Sequence, residues 1–489
     1  MEGKAGAQIS TRAFNQSVAI LFTLMMAAGI LTRAIPAGSY AREYSGATIE
    51  QEGREMIDPS SFQYVARPDY SIWRWFTAPI EVLGGSDGLT VITIIIFLLM
   101  VGVAFAVLDK SGLLKAVIAR IVKAFEGCKY HLLLVISLFF MIIGAFFGIF
   151  EEVVPLVPLM LALSYFLGWD ALVGLGMSIL AVNMGFSAAI TNPFTIGVAQ
   201  KLAGLPLFSG AWLRVIIFAI IYAIFAAFLT RYARKIERNP QISPVFQEDQ
   251  AERAKYTDLQ LDSLAEASPR LGKAMSWFLV CLALILIVLV TAPFLPAIAS
   301  FSMPIVGLLF FIGGIGASLI SGARRSTVFK AAWEGLTGIS PAIPLILMAA
   351  SIKHIVAQGG ILDTILYQAS QPLSQANPFL ATLLIYFLAL LIEFFVASGS
   401  AKAFLLMPIM VPLADLVGVT RQTTVTAYCF GDGFSNLIYP TNPVLLICLG
   451  LTMVSYSKWL KWSLRLWFWV LLATFLFLGI AIAISYGPF

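Results

Sequence analysis

The sequence is poor in charged residues, which make up 12% of its 489 residues, whereas hydrophobic residues make up 60%. Soluble domains carry about 25% charged residues, so a chain this apolar must use lipid as part of its solvent. The composition therefore predicts an integral membrane protein. The net charge of +5 does not indicate a nucleic-acid partner, because the basic residues form no single patch.

Cysteine and histidine are also scarce, with four Cys and two His in the whole chain. The Cys residues form no CxxC pair and lie in or beside apolar runs, which favours neither a disulfide framework nor a metal centre. A Walker nucleotide-binding motif is missing, and no nucleophile is paired with a base. These absences argue against ATP-driven transport and against an intramembrane enzyme.

Long apolar segments are the main feature that is present. A helix needs about 20 mostly apolar residues to cross a bilayer. Segments of that kind are 14–36, 88–108, 211–230, 275–299, 303–322, 338–358 and 466–487. Other apolar regions are interrupted, 131–168 and 378–416 by Glu, Pro, Gly or Ser, and 171–203 and 421–450 by Thr-Asn-Pro.

The distribution of Lys and Arg predicts the orientation of these segments. With a cytoplasmic N-terminus, the cytoplasmic loops hold 21 Lys and Arg residues and the opposite side holds eight. Cytoplasmic loops are normally the more basic ones. The bias is preserved only if 131–168 and 378–416 each enter and leave on one side, so both are predicted to be re-entrant hairpins. The C-terminus is then external.

The chain contains an internal repeat. Gly185-Phe186-Ser187 recurs as Gly433-Phe434-Ser435 at an offset of 248, and the two Thr-Asn-Pro motifs are related by an offset of 250. The charge bias gives the two copies opposite orientations. Inverted repeats with interrupted helices indicate a transporter whose substrate site lies near the membrane midplane.

These patterns predict an all-α polytopic membrane protein. Its parts are an N-terminal span (1–36), an external loop (37–87), a first repeat (88–235), a charged cytoplasmic linker (236–273), a second repeat (274–465) and a C-terminal span (466–489). Each repeat has one hairpin (131–168, 378–416) and one broken helix (171–203, 421–450).

The broken helices predict a binding site for a carboxylate and a cation. Proline in mid-span frees a carbonyl that lipid cannot satisfy, so Pro193 and Pro443 must face protein or a water-filled cavity. Exposed helix N-termini suit a carboxylate. Side-chain oxygens and freed carbonyls suit Na⁺, with Thr191, Asn192, Asn436 and Thr441 as the candidate ligands. Further substrate-binding candidates are Ser187, Ser398, Ser400, Ser435 and Asn442.

Charged groups inside the membrane are functional candidates. Glu151 and Glu152 lie at the predicted tip of the first hairpin, Lys402 near the tip of the second, and Asp432 precedes the second Gly-Phe-Ser motif. If the two tips meet, carboxylates and an ammonium bracket the site. Lys402 could supply the positive charge of a Na⁺ ion, or it could pair with Glu393. Aromatic residues predicted to anchor span ends at the membrane interface are Trp73, Trp75, Trp459, Trp462 and Trp467.

At these residues the chain resembles a known family. The segments IPAGSY at 35–40, GIFEEVVPLVPL at 148–159, GFSAAITNPFTIGVAQ at 185–200 and GDGFSNLIYPTNP at 431–443 are similar to the C4-dicarboxylate anaerobic carrier family. The similarity is greatest to a branch described as basic amino acid antiporters. The resemblance implies the ion-transporter superfamily fold, a scaffold that forms a homodimer, and an elevator-type movement of a domain carrying both hairpins. Members commonly read SGSGQA where this chain reads SGSAKA at 398–403.

Three functions stay open at this stage. A secondary active carrier of a carboxylate-bearing metabolite is favoured, and within it a basic amino acid such as arginine or ornithine, moved by symport or exchange. A C4-dicarboxylate is the alternative substrate, with Lys402 as an anion partner, and an ion channel is a third reading. The coupling ion would be Na⁺ or H⁺, and no other cofactor is expected. The protein is predicted to lie in the lipid of a bacterial inner membrane.

Overall fold

The computed structural model describes residues 11–44, 55–114, 116, 128–257, 269–291, 295, 301–452 and 454–487. Helices dominate this part of the chain. The helices of the first half are α1 (Thr11–Ala34), α2 (Arg74–Glu81), α3 (Gly88–Lys110), α4 (Lys129–Phe147), α5 (Val157–Phe166), α6 (Ala171–Leu175), α7 (Ala181–Ala188), α8 (Val198–Leu202), α9 (Ala211–Arg238) and α10 (Phe246–Thr257). Those of the second half are α11 (Pro269–Thr291), α12 (Ser302–Ile320), α13 (Arg325–Ile339), α14 (Ala342–Gln358), α15 (Leu362–Ser370), α16 (Pro378–Glu393), α17 (Gly399–Leu416), α18 (Arg421–Gly433), α19 (Pro443–Gly450) and α20 (Tyr456–Ala483).

The prediction of an all-α fold was wrong in one segment. Four short strands, β1 (Gly38–Ser39), β2 (Arg42–Tyr44), β3 (Glu55–Ile57) and β4 (Gln63–Tyr64), pair antiparallel as β1 with β4 and β2 with β3. Asp363 at the start of α15 accepts hydrogen bonds from the Tyr40 amide (3.0 Å) and the Arg42 guanidinium (2.9 Å). This carboxylate ties the strands to the helical body, a long-range contact that composition does not reveal.

Ten helical segments of the described residues are long and apolar enough to cross a membrane. They include α4, the combined segment Ala171–Leu202, the combined segment Arg325–Gln358, and α17, in addition to the longer single helices. Together with the composition, these segments make the chain an integral membrane protein.

The two halves repeat one order of elements. A long helix (α3 or α14) precedes a helix pair (α4–α5 or α16–α17), an interrupted helix (α6–α8 or α18–α19) and a second long helix (α9 or α20). In the second half, the shorter helix α15 lies between the long helix and the pair. The helix after each interruption starts in the same way, at an Asn-Pro step. Asn192 Oδ1 accepts from the amides of residues 194 and 195, and Asn442 Oδ1 accepts from those of 444 and 445. Asn is a preferred N-cap and Pro a preferred first helical residue.

Glycine permits close helix packing within each half. A Cβ atom on Gly185 of α7 would lie 1.8 Å from the Met141 carbonyl oxygen of α4. In the second half, a Cβ atom on Gly431 of α18 would lie 2.4 Å from the Tyr386 carbonyl oxygen of α16. Small residues allow backbones to approach in membrane proteins, where dispersion contacts replace the hydrophobic effect. This packing fixes each interrupted helix against its own hairpin.

Part of the segment expected to be a charged linker is a docked helix. Asp249 on α10 is fully buried and accepts hydrogen bonds from Tyr165 Oη (3.1 Å) and the Ala171 amide (2.7 Å). Residues 258–268 of that linker lie outside the described part of the chain. The low hydrophobicity of 236–273 gave no sign of docking, because the contacts that bury Asp249 are hydrogen bonds.

Candidate functional site

The first interruption lies between α7 and the turn that starts at Pro193. Ala189 adopts a left-handed conformation (φ 44°), which ends α7. The freed carbonyl of Ile190 accepts two hydrogen bonds from the Arg214 guanidinium on α9, at 3.3 Å from Nε and 3.2 Å from an Nη atom. Arg214 is 1% exposed and also binds the carbonyls of Phe208 and Ser209. The sequence predicted a span over 211–230 and gave Arg214 no role, whereas Arg214 satisfies the broken backbone.

The second interruption, between α18 and Pro443, is satisfied by aromatic side chains. Trp459 Nε1 on α20 donates to the Leu437 carbonyl (2.8 Å), and Tyr456 Oη donates to that of Ile438 (2.7 Å). Trp459 is fully buried, so its predicted role as an interface anchor was wrong. Trp462, Trp467 and Trp75 are also nearly buried, whereas Trp73 is 73% exposed. A buried indole N–H usually finds a hydrogen-bond acceptor, and the break supplies one to Trp459.

The two halves cross where the Gly-Phe-Ser motifs meet. A Cβ atom on Gly433 would lie 2.6 Å from the Ser187 Cα atom, so the two interrupted helices touch at their backbones. The hairpin breaks lie beside the same region. A Cβ atom on Gly148 would lie 2.1 Å from Asn192 Oδ1, and one on Gly399 would lie 2.8 Å from Thr195 Cγ2 and 3.0 Å from Asp432 Oδ2. The second hairpin therefore contacts the interruptions of both halves.

Lys402 forms the charged centre of this region. Its ammonium lies 2.7 Å from Asp432 Oδ1 and in closer contact with Glu393. The side chains of Lys402 and Glu393 are fully buried, and that of Asp432 is 1% exposed. Within the described residues, no amide or hydroxyl donates a hydrogen bond to either carboxylate. The Lys402 cluster (Glu393, Lys402 and Asp432) thus holds two carboxylates against one ammonium.

The two glutamates of the first hairpin point to different partners. Glu151 faces a narrow cavity bounded by α3, α12 and the start of α19, including Phe97, Met303 and Pro443. It also lies within electrostatic range of Glu152 and Asp432. Glu152 instead accepts a hydrogen bond from Ser302 Oγ on α12 (2.7 Å). The structure therefore brings Glu151 toward the Lys402 cluster and turns Glu152 toward the neighbouring helix.

Most of the remaining predicted site residues form hydrogen bonds within the protein. Ser187 and Ser435 donate to the carbonyls four residues earlier, at 2.6 and 2.7 Å. Thr191 donates to the Phe146 carbonyl (3.0 Å), and Asn442 Nδ2 donates weakly to Asn436 Oδ1 (3.4 Å). Ser398 caps α17 by accepting from the Ala401 amide (3.4 Å), while Ser400 is half-buried beside it.

Several buried polar atoms here have no hydrogen-bond partner among the described residues. They are Asn192 Nδ2, Thr195 Oγ1, Thr441 Oγ1 and both amide atoms of Asn183. Unpaired buried polar atoms are uncommon and call for an explanation such as a ligand or ordered water. Sequence reasoning missed Asn183 and Thr195. Both lie in the first interrupted helix, so their positions next to the repeated motifs were the available signal.

Comparison with known proteins agrees with the membrane fold. A model of the C4-dicarboxylate anaerobic carrier family matches residues 14–484. A protein of Escherichia coli (strain K12) named "Putative basic amino acid antiporter YfcC" is 31% identical over 481 residues, covering 92% of each chain. An uncharacterized protein of Haemophilus influenzae is 26% identical over 374 residues, 76% of this chain and 71% of that one.

Two solved transporter structures align over most of the chain. The YdaH transporter of Alcanivorax borkumensis has a TM-score of 0.42 at 20% identity, covering 97% of this chain and 100% of that one. MtrF of Neisseria gonorrhoeae has a TM-score of 0.42 at 19% identity, covering 96% and 94%. The family match spans nearly the whole sequence, and the family consists of transporters rather than enzymes. The chain therefore belongs to the C4-dicarboxylate anaerobic carrier family of membrane transporters.

Proposed function

We propose that this transporter is a secondary active antiporter of a basic amino acid, with arginine or ornithine as the model substrates. The observation that carries the proposal is the charge of the candidate site. Glu393 and Asp432 contact a single ammonium, that of Lys402, and Glu151 lies within electrostatic range of Asp432. Buried charge is strongly unfavourable unless it is paired. A cationic substrate or bound protons would balance the excess carboxylates, whereas a dicarboxylate would increase the imbalance.

The helix N-termini supply the complementary half of the site. The turns that begin at Pro193 and Pro443 have N–H groups and a partial positive charge at their starts. Each lies next to an unpaired polar atom, Asn192 Nδ2 in the first and Thr441 Oγ1 in the second. A substrate α-carboxylate would bind there, with its side-chain cation directed to Glu151. Ser187, Ser400 and Ser435 offer oxygen lone pairs nearby.

Exchange follows from the same charge argument. A carrier emptied of a cationic substrate would leave its carboxylates unbalanced, so it would cross the membrane poorly until substrate or protons bind. H⁺ is therefore the favoured coupling ion. Na⁺ bound by Thr191, Asn192, Asn436 and Thr441 is the second candidate. The engagement of Lys402 with two carboxylates removes the reason to treat it as a free anion partner for a dicarboxylate.

We further propose that the two halves are inverted repeats and that transport is an elevator-type movement. The repeated element order and the crossing of Ser187 with Gly433 support a two-fold relation. The moving unit would contain both hairpins and both interrupted helices, and α1, α3 and α11–α14 would form the static scaffold of a homodimer. The bias of Lys and Arg supports a cytoplasmic N-terminus and an external C-terminus in a bacterial inner membrane.

Counterflow in proteoliposomes tests the substrate. Vesicles loaded with unlabelled arginine should accumulate labelled arginine or ornithine, and vesicles loaded with succinate should not accumulate labelled succinate. Glu151→Gln should reduce arginine counterflow at least tenfold and should affect neutral citrulline less. Glu152→Gln should have a smaller effect, because that carboxylate is bonded to Ser302.

Glu237→Gln is the matched control, since it also neutralises a carboxylate but at an exposed ion pair with Lys129 (2.6 Å). It should transport at the wild-type rate. Faster counterflow of succinate than of arginine would replace the proposal with dicarboxylate transport. Rapid dissipation of the label without transient accumulation would indicate a channel.

A further inference from the structure

A groove between α9 and α20 has an apolar floor and a basic rim. Its floor is formed by Ile224, Ala227, Phe228 and Trp462, and its volume is about 620 Å³. The rings of Phe228 and Trp462 pack with centroids 5.1 Å apart. Three basic side chains, Arg231, Lys235 and Arg465, line the same groove. An apolar groove with positive charges at its edge is suited to bind an amphipathic anion.

The spacing of these residues follows from helix geometry. Ala223, Ala227, Arg231 and Lys235 recur every four residues and so share one face of α9. Small alanines leave space along the helix, and the basic residues continue the same stripe toward its C-terminus. Across the groove, Arg465 and Trp469 lie one turn apart on α20. An acyl chain could lie along the alanines while a phosphate contacts the basic groups.

The basic side chains of the groove have no acidic partner among the described residues. Their neighbours do have one, since Lys129 pairs with Glu237 and Lys458 pairs with Glu248. Arg231 and Lys235 also line an adjoining hollow with Arg234 and Arg238, so the positive charge extends beyond one phosphate. Unpaired basic clusters at the ends of membrane helices attract anionic headgroups, and basic pockets between such helices bind diphosphate lipids.

We propose that this groove is a binding site for an anionic phospholipid, with a diphosphate lipid of the cardiolipin type bound more tightly than phosphatidylglycerol. The headgroup phosphates contact Arg231, Lys235 and Arg465, and one acyl chain lies between α9 and α20. Both helices follow an interruption of a candidate-site helix, and each carries the donor (Arg214 or Trp459) that satisfies it. Lipid bound here holds these two supports together.

Lipid binding to the purified full-length protein in detergent tests the site. Native mass spectrometry and thermal shift would be measured with tetraoleoyl cardiolipin, dioleoyl phosphatidylglycerol, dioleoyl phosphatidylcholine and inorganic phosphate. Cardiolipin should bind tightest and raise the melting temperature most. The triple variant R231Q/K235Q/R465Q should weaken cardiolipin binding on the order of 100-fold, at about a factor of five for each basic group near the headgroup.

The matched control is R324Q/R325Q/K330Q, which removes the same charge from exposed positions at the start of α13. It should bind cardiolipin like the wild type. If the triple groove variant does not fold, the single variants K235Q and R465Q should each weaken binding about fivefold. Equal binding of phosphatidylcholine, retained cardiolipin binding in the groove variants, or equal stabilisation by inorganic phosphate would overturn the proposal; the last would show a site for a soluble anion.

Discussion

Both interrupted helices leave backbone carbonyl groups without a partner in their own helix, and the two halves satisfy these carbonyls with different side chains. In the first half, the Arg214 guanidinium satisfies the carbonyl of Ile190, and in the second half the Trp459 indole satisfies that of Leu437. Arg214 and Trp459 are each the fourth residue of the long helix that follows the interruption. The position of the donor is thus repeated, while its charge is not.

The Lys402 cluster, in contrast, has no charged counterpart in the other half. At an offset of 248, Glu393, Lys402 and Asp432 correspond to Ala145, Val154 and Met184 of the first half. The buried cation of the first half, Arg214, therefore has a structural partner, whereas the buried cation of the second half, Lys402, lies in a charged cluster beside the candidate site. A duplicated scaffold needs the same hydrogen bonds in both copies, because unpaired backbone groups are unfavourable in each. Buried charges that satisfy no backbone group, such as those of the Lys402 cluster, are therefore assigned to function or to specificity.

Lys402→Met should have the largest effect on stability. It leaves Glu393 and Asp432 buried without a cation, and removing one partner of a buried ion pair costs about 3–5 kcal/mol. The apparent melting temperature of the purified protein should fall by several degrees, together with the yield of folded protein. Val154→Met, at the corresponding position of the first half, is the control and should change the melting temperature much less.

The fully neutral variant E393Q/K402M/D432N separates stability from transport. Replacing a whole buried ion cluster by neutral groups is often tolerated, so much of the lost melting temperature should return. Counterflow should nevertheless be abolished, because the carboxylates that bind protons or substrate are gone. Full counterflow in this variant would show that the Lys402 cluster is only structural.

The next largest difference should separate Arg214→Met from Trp459→Phe. The first removes donors to three carbonyl groups and should destabilise the protein on the order of 3 kcal/mol. The second keeps an aromatic ring and removes one neutral hydrogen bond, so about 1 kcal/mol is expected. Arg214→Lys should fall between them, because lysine keeps the charge but not the planar fork. Thermal unfolding in detergent measures all three, and equal losses would mean that the backbone bonds do not decide stability.

The sequence predicted the interruptions better than it predicted their partners. Proline, asparagine and the repeated Gly-Phe-Ser motif act locally, so the Asn192 and Asn442 caps follow from neighbouring residues. The donors to Ile190 and Leu437 come from other helices, more than 20 residues away. Their roles depend on packing, which explains why the sequence gave Arg214 no role and placed Trp459 at the membrane interface. Pairing of Lys402 with Glu393 was open for the same reason.

The starts of the two interrupted helices differ in a further, smaller way that depends on pH. Thr420 caps α18 by accepting from the Thr423 amide (3.3 Å), and Asp170 caps α6 by accepting from that of Val173 (3.0 Å). Asp170 also accepts from Ser243 Oγ (2.6 Å) and lies near Asp249 of the docked helix α10. Burial, with a contribution from Asp170, raises the pKa of Asp249 to about 7, and burial raises the pKa of Asp170.

This pair predicts that α10 is held less firmly as pH rises. An unfolded aspartic acid has a pKa of about 3.9, so the folded state binds the extra proton between about pH 4 and 7. The stabilisation from that proton is present at low pH and is lost as pH rises through about 7. Hydrogen-exchange protection of 246–257, corrected for intrinsic rates, should therefore be lower at pH 8 than at pH 6. Asp249→Asn should remove most of this difference, and Asp58→Asn, at a half-buried carboxylate far from α10 in the sequence, should leave it unchanged. Protection that does not change between pH 6 and pH 8 in the wild type would contradict this prediction and would show that Asp249 is ionised throughout that range, with Arg253 lowering its pKa.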